Sequence, residues 1–218
     1  MTPTSIADRS AAAGSAPESL ETRIVDAMLE CIGRWGLAKT TADDIARGAG
    51  VSRATLYRAF PGGKDVALDA LLSRETARFF DVVTGPLEAA TTLEDTLVIG
   101  IVEAARFIQT HGPLQYLLTH EPERVLPTAT FHGLSSAFAI ATTFTTPHLR
   151  PFLADDADAV AAAEWVVRQF FSYTLVPSPS LDLTDEVGVR RFVRTFVLPA
   201  LLCATTQPPS NDLPPKEL

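Results

Sequence analysis

The chain has 218 residues, of which 46% are hydrophobic and 20% charged, which indicates a globular protein and excludes a disordered chain. Its formal net charge of −8 would count against nucleic-acid binding, but residues 31–64 carry six basic and only two acidic side chains. The apolar runs fall far short of the roughly 20 residues that a membrane span needs, and two cysteines are too few for a disulfide framework.

The two ends of the chain differ in composition from its middle. Residues 1–17 are rich in Ala, Ser, Pro and Thr, and residues 207–218 are rich in Pro, so we expect two disordered tails and no signal peptide. Between them nearly every segment has helical periodicity, which predicts an all-α fold. We place a first domain at 18–64 and a second at 65–206.

The first predicted helix covers residues 19–35, with apolar residues at steps of three and four. Thr41, with an acid three residues later, is the pattern of a capping box and starts a second, short helix that Gly50 ends. Ser52 then caps a third helix over 53–60. Two short helices joined by a turn with Gly form a helix-turn-helix pattern, although a chance pair of core helices would have the same spacing.

The outer side of the third predicted helix carries residues that suit DNA. Arg53 can donate two hydrogen bonds to a guanine edge, and Thr55 can contact a thymine methyl group or a phosphate. Lys64 stands near the start of the next helix, where free backbone N–H groups and an ammonium group can hold a phosphate together. The predicted base contacts are Arg53 and Thr55, and the predicted phosphate contacts are Thr41, Tyr57, Arg58 and Lys64, with Ser52 and Ala54 beside them.

The order and spacing of these residues resemble the TetR family of bacterial transcriptional regulators. The resemblance covers about residues 20–72, through Ile24 to Ala27, Trp35-Gly36, Thr40 to Ala46, Ala49 to Ser52, Thr55 to Pro61, and Lys64. It implies an all-helical homodimer, in which each subunit has an N-terminal three-helix DNA-binding head and a C-terminal helical body for ligand binding and dimerisation. It also implies a repressor that a small molecule releases from its operator.

The chain departs from the family pattern at three places. Ala59 stands where the family often has His, Tyr or Asn, which removes a frequent DNA contact. Asp43 stands where a base-contacting residue is common, and we interpret its carboxylate as serving the positive end of the helix dipole rather than accepting from cytosine. Gly62-Gly63 makes the next loop one residue longer than its commonest form, which affects the placement of Lys64.

Further helical segments are predicted along the body, and Gly or Pro marks their ends. The first is expected to run from Lys64 to about Val83 and to end at Gly85-Pro86, and the resemblance implies that its tilt carries a signal between body and head. The others are expected at about 92–110, 113–121, 128–146, 155–175 and 185–205.

The last two predicted helices are the candidates for a dimer interface, although burial within one subunit would give the same apolar pattern. The resemblance implies that they pair with their copies as a four-helix bundle. The predicted interface residues are Ala157, Val160, Ala161, Trp165, Val189, Phe192, Val193 and Phe196. We interpret the basic stretch Arg190, Arg191 and Arg194 as a solvated face or as partners of acidic residues across this interface, rather than as a second nucleic-acid patch.

Apolar residues of the body can line a ligand cavity between helices, although each of them alone fits an ordinary core position. Such a lining favours an apolar or aromatic ligand, and no Gly-rich phosphate loop is present in the sequence. The predicted pocket residues are Phe107, Tyr116, Leu118, Phe131, Phe138, Phe144, Trp165 and Phe170.

Two alternatives remain open, a small enzyme and a helical interaction module that has lost DNA binding, for which Asp43 and Ala59 would be the marks. The four histidines lack the spacing of a zinc site, and the nearest approach to a catalytic group is His120 beside two acids. We therefore predict no catalytic residue, metal or cofactor. Cys31 is expected to be buried and inert, and Cys203 to be buried at the end of an apolar helix, although an exposed Cys203 could act as a redox sensor.

Taken together, these patterns predict a cytoplasmic, sequence-specific DNA-binding regulator that acts as a homodimer. We expect a repressor with two kinds of partner, a palindromic double-stranded DNA operator and a small, mainly apolar effector, and no membrane partner.

Overall fold

The computed structural model describes residues 19–121 and 131–204, with side chains omitted for 131–134 and 203–204. The predicted tails at 1–17 and 207–218 therefore lie outside the described residues, as do the side chains of Phe131 and Cys203. Within the described ranges the chain folds into helices and contains no β-strand, which confirms the all-α prediction.

The helices follow the predicted order closely. A 3-10 turn, Arg150–Phe152, follows the seventh helix, and a π-helical turn, Val193–Val197, makes the last two helices continuous. The helices of the described residues are α1 (Leu20–Trp35), α2 (Ala42–Gly48), α3 (Arg53–Ala59), α4 (Lys64–Leu87), α5 (Leu93–Thr110), α6 (Gly112–His120), α7 (Phe131–Leu149), α8 (Asp156–Leu175), α9 (Glu186–Phe192) and α10 (Leu198–Ala204).

The expected end of α4 before Gly85-Pro86 is wrong, because the helix continues through Pro86 to Leu87. Proline in the last turn removes one backbone hydrogen bond. Val83 and Leu87 are buried in a cluster with Ala104 of α5, and this packing holds the last turn in helical form.

Side-chain caps start the three helices of the head, and the caps at Thr41 and Ser52 were predicted from the sequence. Ser19 and Ser52 each accept a hydrogen bond of 3.1 Å from the backbone N–H three residues on. Thr41 and Asp44 form both halves of a capping box, each with a bond of 3.2 Å. Each such cap satisfies an otherwise unpaired N–H group and typically contributes about 1 kcal/mol.

The first three helices and the start of α4 enclose one hydrophobic core, in which Ile24, Met28, Ile45 and Leu56 are essentially fully buried. The chain turns between α2 and α3 at Gly50, whose φ of +66° lies in the left-handed region that glycine adopts without strain. Trp35 is the last residue of α1, beyond the buried stretch that ends at Ile32, and it is 42% exposed although it continues the apolar steps of the helix.

A second core lies in the body, between α5, α8 and the continuous helix formed by α9 and α10. Val189 and Val193 are 0% exposed within this core of a single chain. Their predicted place in a dimer interface is therefore wrong, because a side chain that its own subunit already covers has no surface left for a partner.

Arg190 and Arg194 bind acidic residues of their own chain. Arg190 lies 2.9 Å from Glu94, 2.7 Å from Asp95 and 3.0 Å from Glu186, and Arg194 lies 2.8 Å from Glu94. Arginines of this stretch do pair with acidic residues, as interpreted from the sequence. The acidic residues belong to the same chain, however, and not to a partner across an interface. The pairs fix α9 to the first turn of α5.

Candidate nucleic-acid interface and internal cavity

The short helix α3 buries one face in the head core and exposes the other. Leu56 is fully buried, whereas Ala59 is partly covered. Thr55 is also half-buried, and its hydroxyl lies 2.9 Å from the hydroxyl of Ser52 within the N-cap. The exposed residues of this segment are Ser52, Arg53, Ala54, Tyr57 and Arg58, so most of the predicted DNA-contacting side chains share one accessible surface.

Arg53 is held in place by a neighbouring acid and a neighbouring ring. Its Nη1 lies 3.2 Å from Asp43 Oδ2, and its guanidinium group lies 5.5 Å from the centre of the Tyr57 ring. A hydrogen bond with Tyr57 and the charge of Asp43 raise the pKa of Arg53 above its ordinary value. Asp43 therefore pairs with the predicted base-reading residue, a contact that the helix-dipole interpretation did not include.

The side chains predicted to contact phosphates differ in their exposure and in the hydrogen bonds that they already make within the chain. Arg58 is exposed and has no hydrogen bond or ion pair with the part of the chain that the structure describes. The hydroxyl of Thr41 donates to Asp44 at 2.5 Å inside the capping box. Lys64 is half-buried, and its Nζ donates to the backbone oxygen of Leu37 at 2.5 Å. Arg58 is therefore the most available cation on this surface.

The loop between α1 and α2 is bound to the body through Glu121, the residue that follows α6. The Glu121 carboxylate is nearly buried and accepts hydrogen bonds of 2.9 and 3.3 Å from the backbone N–H of Ala38. Gly36, with φ +82°, makes room for this contact, since a Cβ atom there would lie 1.9 Å from the carboxylate. Glu121 thus joins the body to the helix-turn-helix.

Glu121 is one of the two acids beside His120, and this joint was not predicted from the sequence. A usable signal was present, because an acidic residue at the C-terminal end of a helix opposes the helix dipole and so needs a compensating partner. His120 itself lies on the surface, where it stacks on Tyr116 with ring centres 4.4 Å apart.

A second set of polar contacts connects α4 to the first helix and to the start of α6. Arg74 binds Asp26 at 2.6 Å, and Glu75 lies 3.1 Å from His111 Nε2. His111 Nδ1 accepts from the backbone N–H of Leu114, so its Nε2 carries the proton that it donates to Glu75. Burial acts to raise the pKa of Glu75, but the hydrogen bonds from His111 and Arg74 outweigh it, and the net pKa is lowered.

A partly open cavity of about 330 Å³ lies between α4, α5, α7 and α8. Its wall is mainly apolar and includes five phenylalanines, Phe79, Phe80, Phe144, Phe170 and Phe171, together with Thr145 and His148. The rings of Phe80 and Phe144 stack with centres 4.2 Å apart. Among the described residues, no Asp, Glu, Lys or Arg lines this cavity. A wall of this kind suits an apolar or aromatic small molecule.

Of the eight predicted pocket residues, the structure brings Phe144 and Phe170 to this cavity. Tyr116 lies at the joint beside Gly36, and Trp165 lines a separate groove on α8 and α9. Phe107 packs behind the wall against Phe79, and Phe138 packs against Phe171. Leu118 is half-buried in α6, and Phe131 has no described side chain. Phe79, Phe80, Phe171 and His148 line the cavity but were not among the predicted pocket residues.

Exposed apolar side chains lie on one side of α8 and of the continuous helix that α9, the π-helical turn and α10 form together. Val160 is 47% exposed and Phe196 is 62% exposed, and the predicted interface residues Ala157 and Ala161 are exposed beside Val160. Trp165 and Phe192 are half-buried and line a groove with Phe196. An apolar patch of this extent on one subunit is typical of a surface that another molecule covers.

Cys31 is buried and unpaired in α1, and its burial, as the main cause, raises the pKa of its thiol. The predicted burial of Cys31 is confirmed. Across residues 19–121 and 131–204, no group of three or more His, Cys, Asp or Glu side chains is arranged to hold a metal ion. The helices in those two ranges also include none with the length and apolar character that crossing a bilayer requires.

Comparison with known proteins agrees with this geometry. Residues 24–71 match the family described as bacterial regulatory proteins, tetR family. A curated relative, an uncharacterized HTH-type transcriptional regulator of Mycobacterium tuberculosis, is 27% identical over 189 residues, which cover 84% of this chain and 86% of that protein.

Solved structures share the fold. The TetR family repressor AlkX from Dietzia sp., implicated in biodegradation of n-alkanes, has a TM-score of 0.58 at 22% identity, covering 87% of this chain and 98% of its own. The fatty acid degradation regulator FadR from Bacillus halodurans has a TM-score of 0.58 at 18% identity, covering 82% of this chain and 96% of its own. At these identities the likeness concerns the fold alone.

Proposed function

The chain belongs to the TetR family of bacterial regulators, and from this premise we propose that it is a homodimeric repressor that a small, mainly apolar molecule releases from a palindromic operator. As a DNA-binding transcriptional regulator of the repressor type, it is not an enzyme. Chromosomal DNA as the target places the protein in the cytoplasm.

The exposed surface of α3 is the observation that carries the DNA-binding proposal. Arg58 is available. Arg53 is held by the ring of Tyr57, which is itself exposed, and by an exposed pair with Asp43, in which the two side chains are 61% and 56% exposed. Exposed pairs of this kind contribute about 0–1 kcal/mol, so a phosphate or a guanine edge can displace the carboxylate. The two cations can therefore transfer to DNA at little cost.

The dimer determines how the two heads meet DNA. When the exposed sides of α8 and the last helix pair with their copies, the molecule has two α3 helices related by a two-fold axis. Such a dimer reads two half-sites spaced about 34 Å apart, one turn of B-form DNA, or somewhat more. The two-fold axis is the reason for a palindromic operator.

The cavity supports the effector part of the proposal. It borders α4, which begins in the head and ends in the body, so an occupant of the cavity contacts the element that positions α3. We propose that the ligand favours a separation of the heads that does not fit both half-sites, as a shift between two populations. AlkX and FadR are named for the degradation of apolar chains, but the effector proposed here is argued from the wall of this cavity.

Binding to the DNA upstream of its own gene tests the proposal. We expect the purified full-length protein to bind that fragment as a dimer, with an affinity that falls steeply between about 50 and 200 mM salt because phosphate contacts release counterions. A scrambled fragment of equal length is the control for sequence specificity. Equal and salt-insensitive retention of both fragments, or no retention at all, would instead favour the interaction module without DNA binding.

A further inference from the structure

Four polar side chains of the described residues line the cavity, and two of them are close together on one helix. Thr145 and His148 are three positions apart on α7, so their side chains lie on the same face of the helix, and both are half-buried. Thr96 uses its hydroxyl to donate to the backbone oxygen of Thr92 at 2.9 Å. Thr76, on α4, is an exposed residue. Thr145 and His148 therefore form a pair of neighbouring polar groups in an otherwise mainly apolar wall.

Thr145 differs from its neighbours on the same helix. Thr143 and Thr146 each donate a hydrogen bond of 2.8 Å to the backbone oxygen four residues earlier. Within the part of the chain that the structure describes, neither the Thr145 hydroxyl nor the His148 ring nitrogens have a hydrogen-bond partner. No buried polar atom of the described side chains lacks a partner, so these two groups are accessible from the cavity, where a bound molecule or water can form hydrogen bonds with them.

The imidazole of His148 is best suited to a neutral partner. Burial lowers the pKa of His148, and no charged side chain among the described residues lines the wall to reverse this effect. The neutral ring has one N–H donor and one nitrogen acceptor. A carboxylate would lose its hydration without gaining a cation, so an anionic ligand is disfavoured here.

The volume sets the size of the occupant. A cavity of about 150 Å³ lined by apolar residues accommodates a benzene ring. The cavity of about 330 Å³ is roughly twice as large, which corresponds to a ligand of roughly twelve non-hydrogen atoms. Five phenylalanine rings surround this volume and favour an aromatic or alkyl body.

We propose that the effector is an uncharged alcohol, phenol or ketone with an apolar body, whose single oxygen is held by His148 and Thr145 through hydrogen bonds. This inference rests on the proposed function for its regulatory meaning and names the ligand class of the same cavity. A hydroxyl group can donate to the free ring nitrogen and accept from Thr145, whereas a carbonyl oxygen accepts from both donors.

Three matched probes test the ligand class on the full-length protein by calorimetric titration at pH 7. They are 2-naphthol, naphthalene and 2-naphthoate, which share one apolar body and differ only in the polar group. We expect measurable binding of 2-naphthol and weaker binding of 2-naphthoate. The strongest binding by 2-naphthoate, or no binding of any probe, would overturn the inference.

Two variants test the residues. We expect His148→Leu to weaken 2-naphthol binding about tenfold and Thr145→Val to weaken it several-fold, as the loss of one hydrogen bond does. Naphthalene binding should change less than about twofold in both variants, because it makes no such bond. Thr143→Val on the same helix is the matched control. Equal losses for 2-naphthol and naphthalene would contradict the assignment, and thermal unfolding checks that each variant is folded.

A parallel titration with operator DNA separates this inference from the function on which it rests. Binding of 2-naphthol that depends on His148 without release of DNA would leave the ligand class standing and remove the effector role. Release of DNA by the probes with no dependence on His148 or Thr145 would leave the effector role standing and remove the ligand class.

Discussion

At the scale of single residues, adjacent side chains of the same type perform different tasks. Asp44 completes the capping box of α2 through its hydrogen bonds with Thr41, which lower its pKa. Asp43 instead contacts Arg53 across the turn at 3.2 Å. The two carboxylates have different partners because their side chains point in different directions from the helix. The partner of each acid therefore cannot be predicted from its position in the sequence.

Replacing Arg53 should change both the affinity and the selectivity of DNA binding. We expect Arg53→Ala to cost about 1–3 kcal/mol on the operator and to relax the preference for one base pair, whereas Lys64→Ala should weaken all sequences alike. Binding to a set of single-base operator variants measures this. Arg168→Ala, which removes an exposed arginine of the body paired with Glu164, is the control. Unchanged operator binding by Arg53→Ala would exclude Arg53 as a base contact.

The stability of the fold should depend on the protonation of His148. Its folded pKa is lowered by burial, while an unfolded histidine has a pKa of about 6.5. The unfolded state therefore binds a proton first as the pH falls, so the free energy of unfolding is highest above about pH 6.5 and decreases below it. Urea unfolding from pH 8 to pH 5 measures the trend, and His148→Gln should flatten it. The same slope in this variant would assign the effect to other groups.

At the scale of elements, the joint between α6 and the loop after α1 couples the body to the head. Glu121 is nearly buried and bridges 83 positions of the sequence to reach the backbone of Ala38. Packing of α6 against α1 accompanies this contact. A displacement of α6 therefore moves the loop that precedes α2, because the carboxylate binds backbone rather than a flexible side chain.

Weakening this joint should loosen the head. Glu121→Gln keeps the shape but removes the charge, and we expect a loss of about 1 kcal/mol in the free energy of unfolding, the difference between a charged and a neutral hydrogen bond. Amide exchange at Ala38 should become faster in the variant. Glu164→Gln, in an exposed pair on α8, is the control. Protection of Ala38 that stays at the wild-type level would show that packing alone holds the loop.

At the scale of the whole molecule, the apolar side of α8 and of the continuous helix formed by α9 and α10 decides, in the proposed dimer, whether two heads can act together. Val160 and Phe196 are 47% and 62% exposed in one chain, and their burial against a second copy would stabilise the pair through the hydrophobic effect. Affinity for a palindrome depends on this pairing, because a single head has only half of the contacts.

A charge placed on this surface should separate the subunits. We expect Phe196→Glu to yield a monomer in light scattering after gel filtration and to lower operator affinity by at least about 100-fold, since an unpaired buried carboxylate costs several kcal/mol. Val82→Glu, on an exposed position of α4, should leave the dimer intact. A Phe196→Glu protein that remains dimeric would place the interface elsewhere.

The sequence by itself determined the head. Caps, glycine turns and apolar steps act between residues a few positions apart, so the bounds of α1 to α3 and the exposed side of α3 followed from local patterns. Only the tertiary structure decided the cavity wall and the outer surface of the body. The continuous helix formed by α9 and α10 carries apolar residues on more than one side. Whether Val189 or Phe196 faces the core depends on how α5 and α8 pack against this helix, and these contacts join residues too far apart in the chain for periodicity to predict.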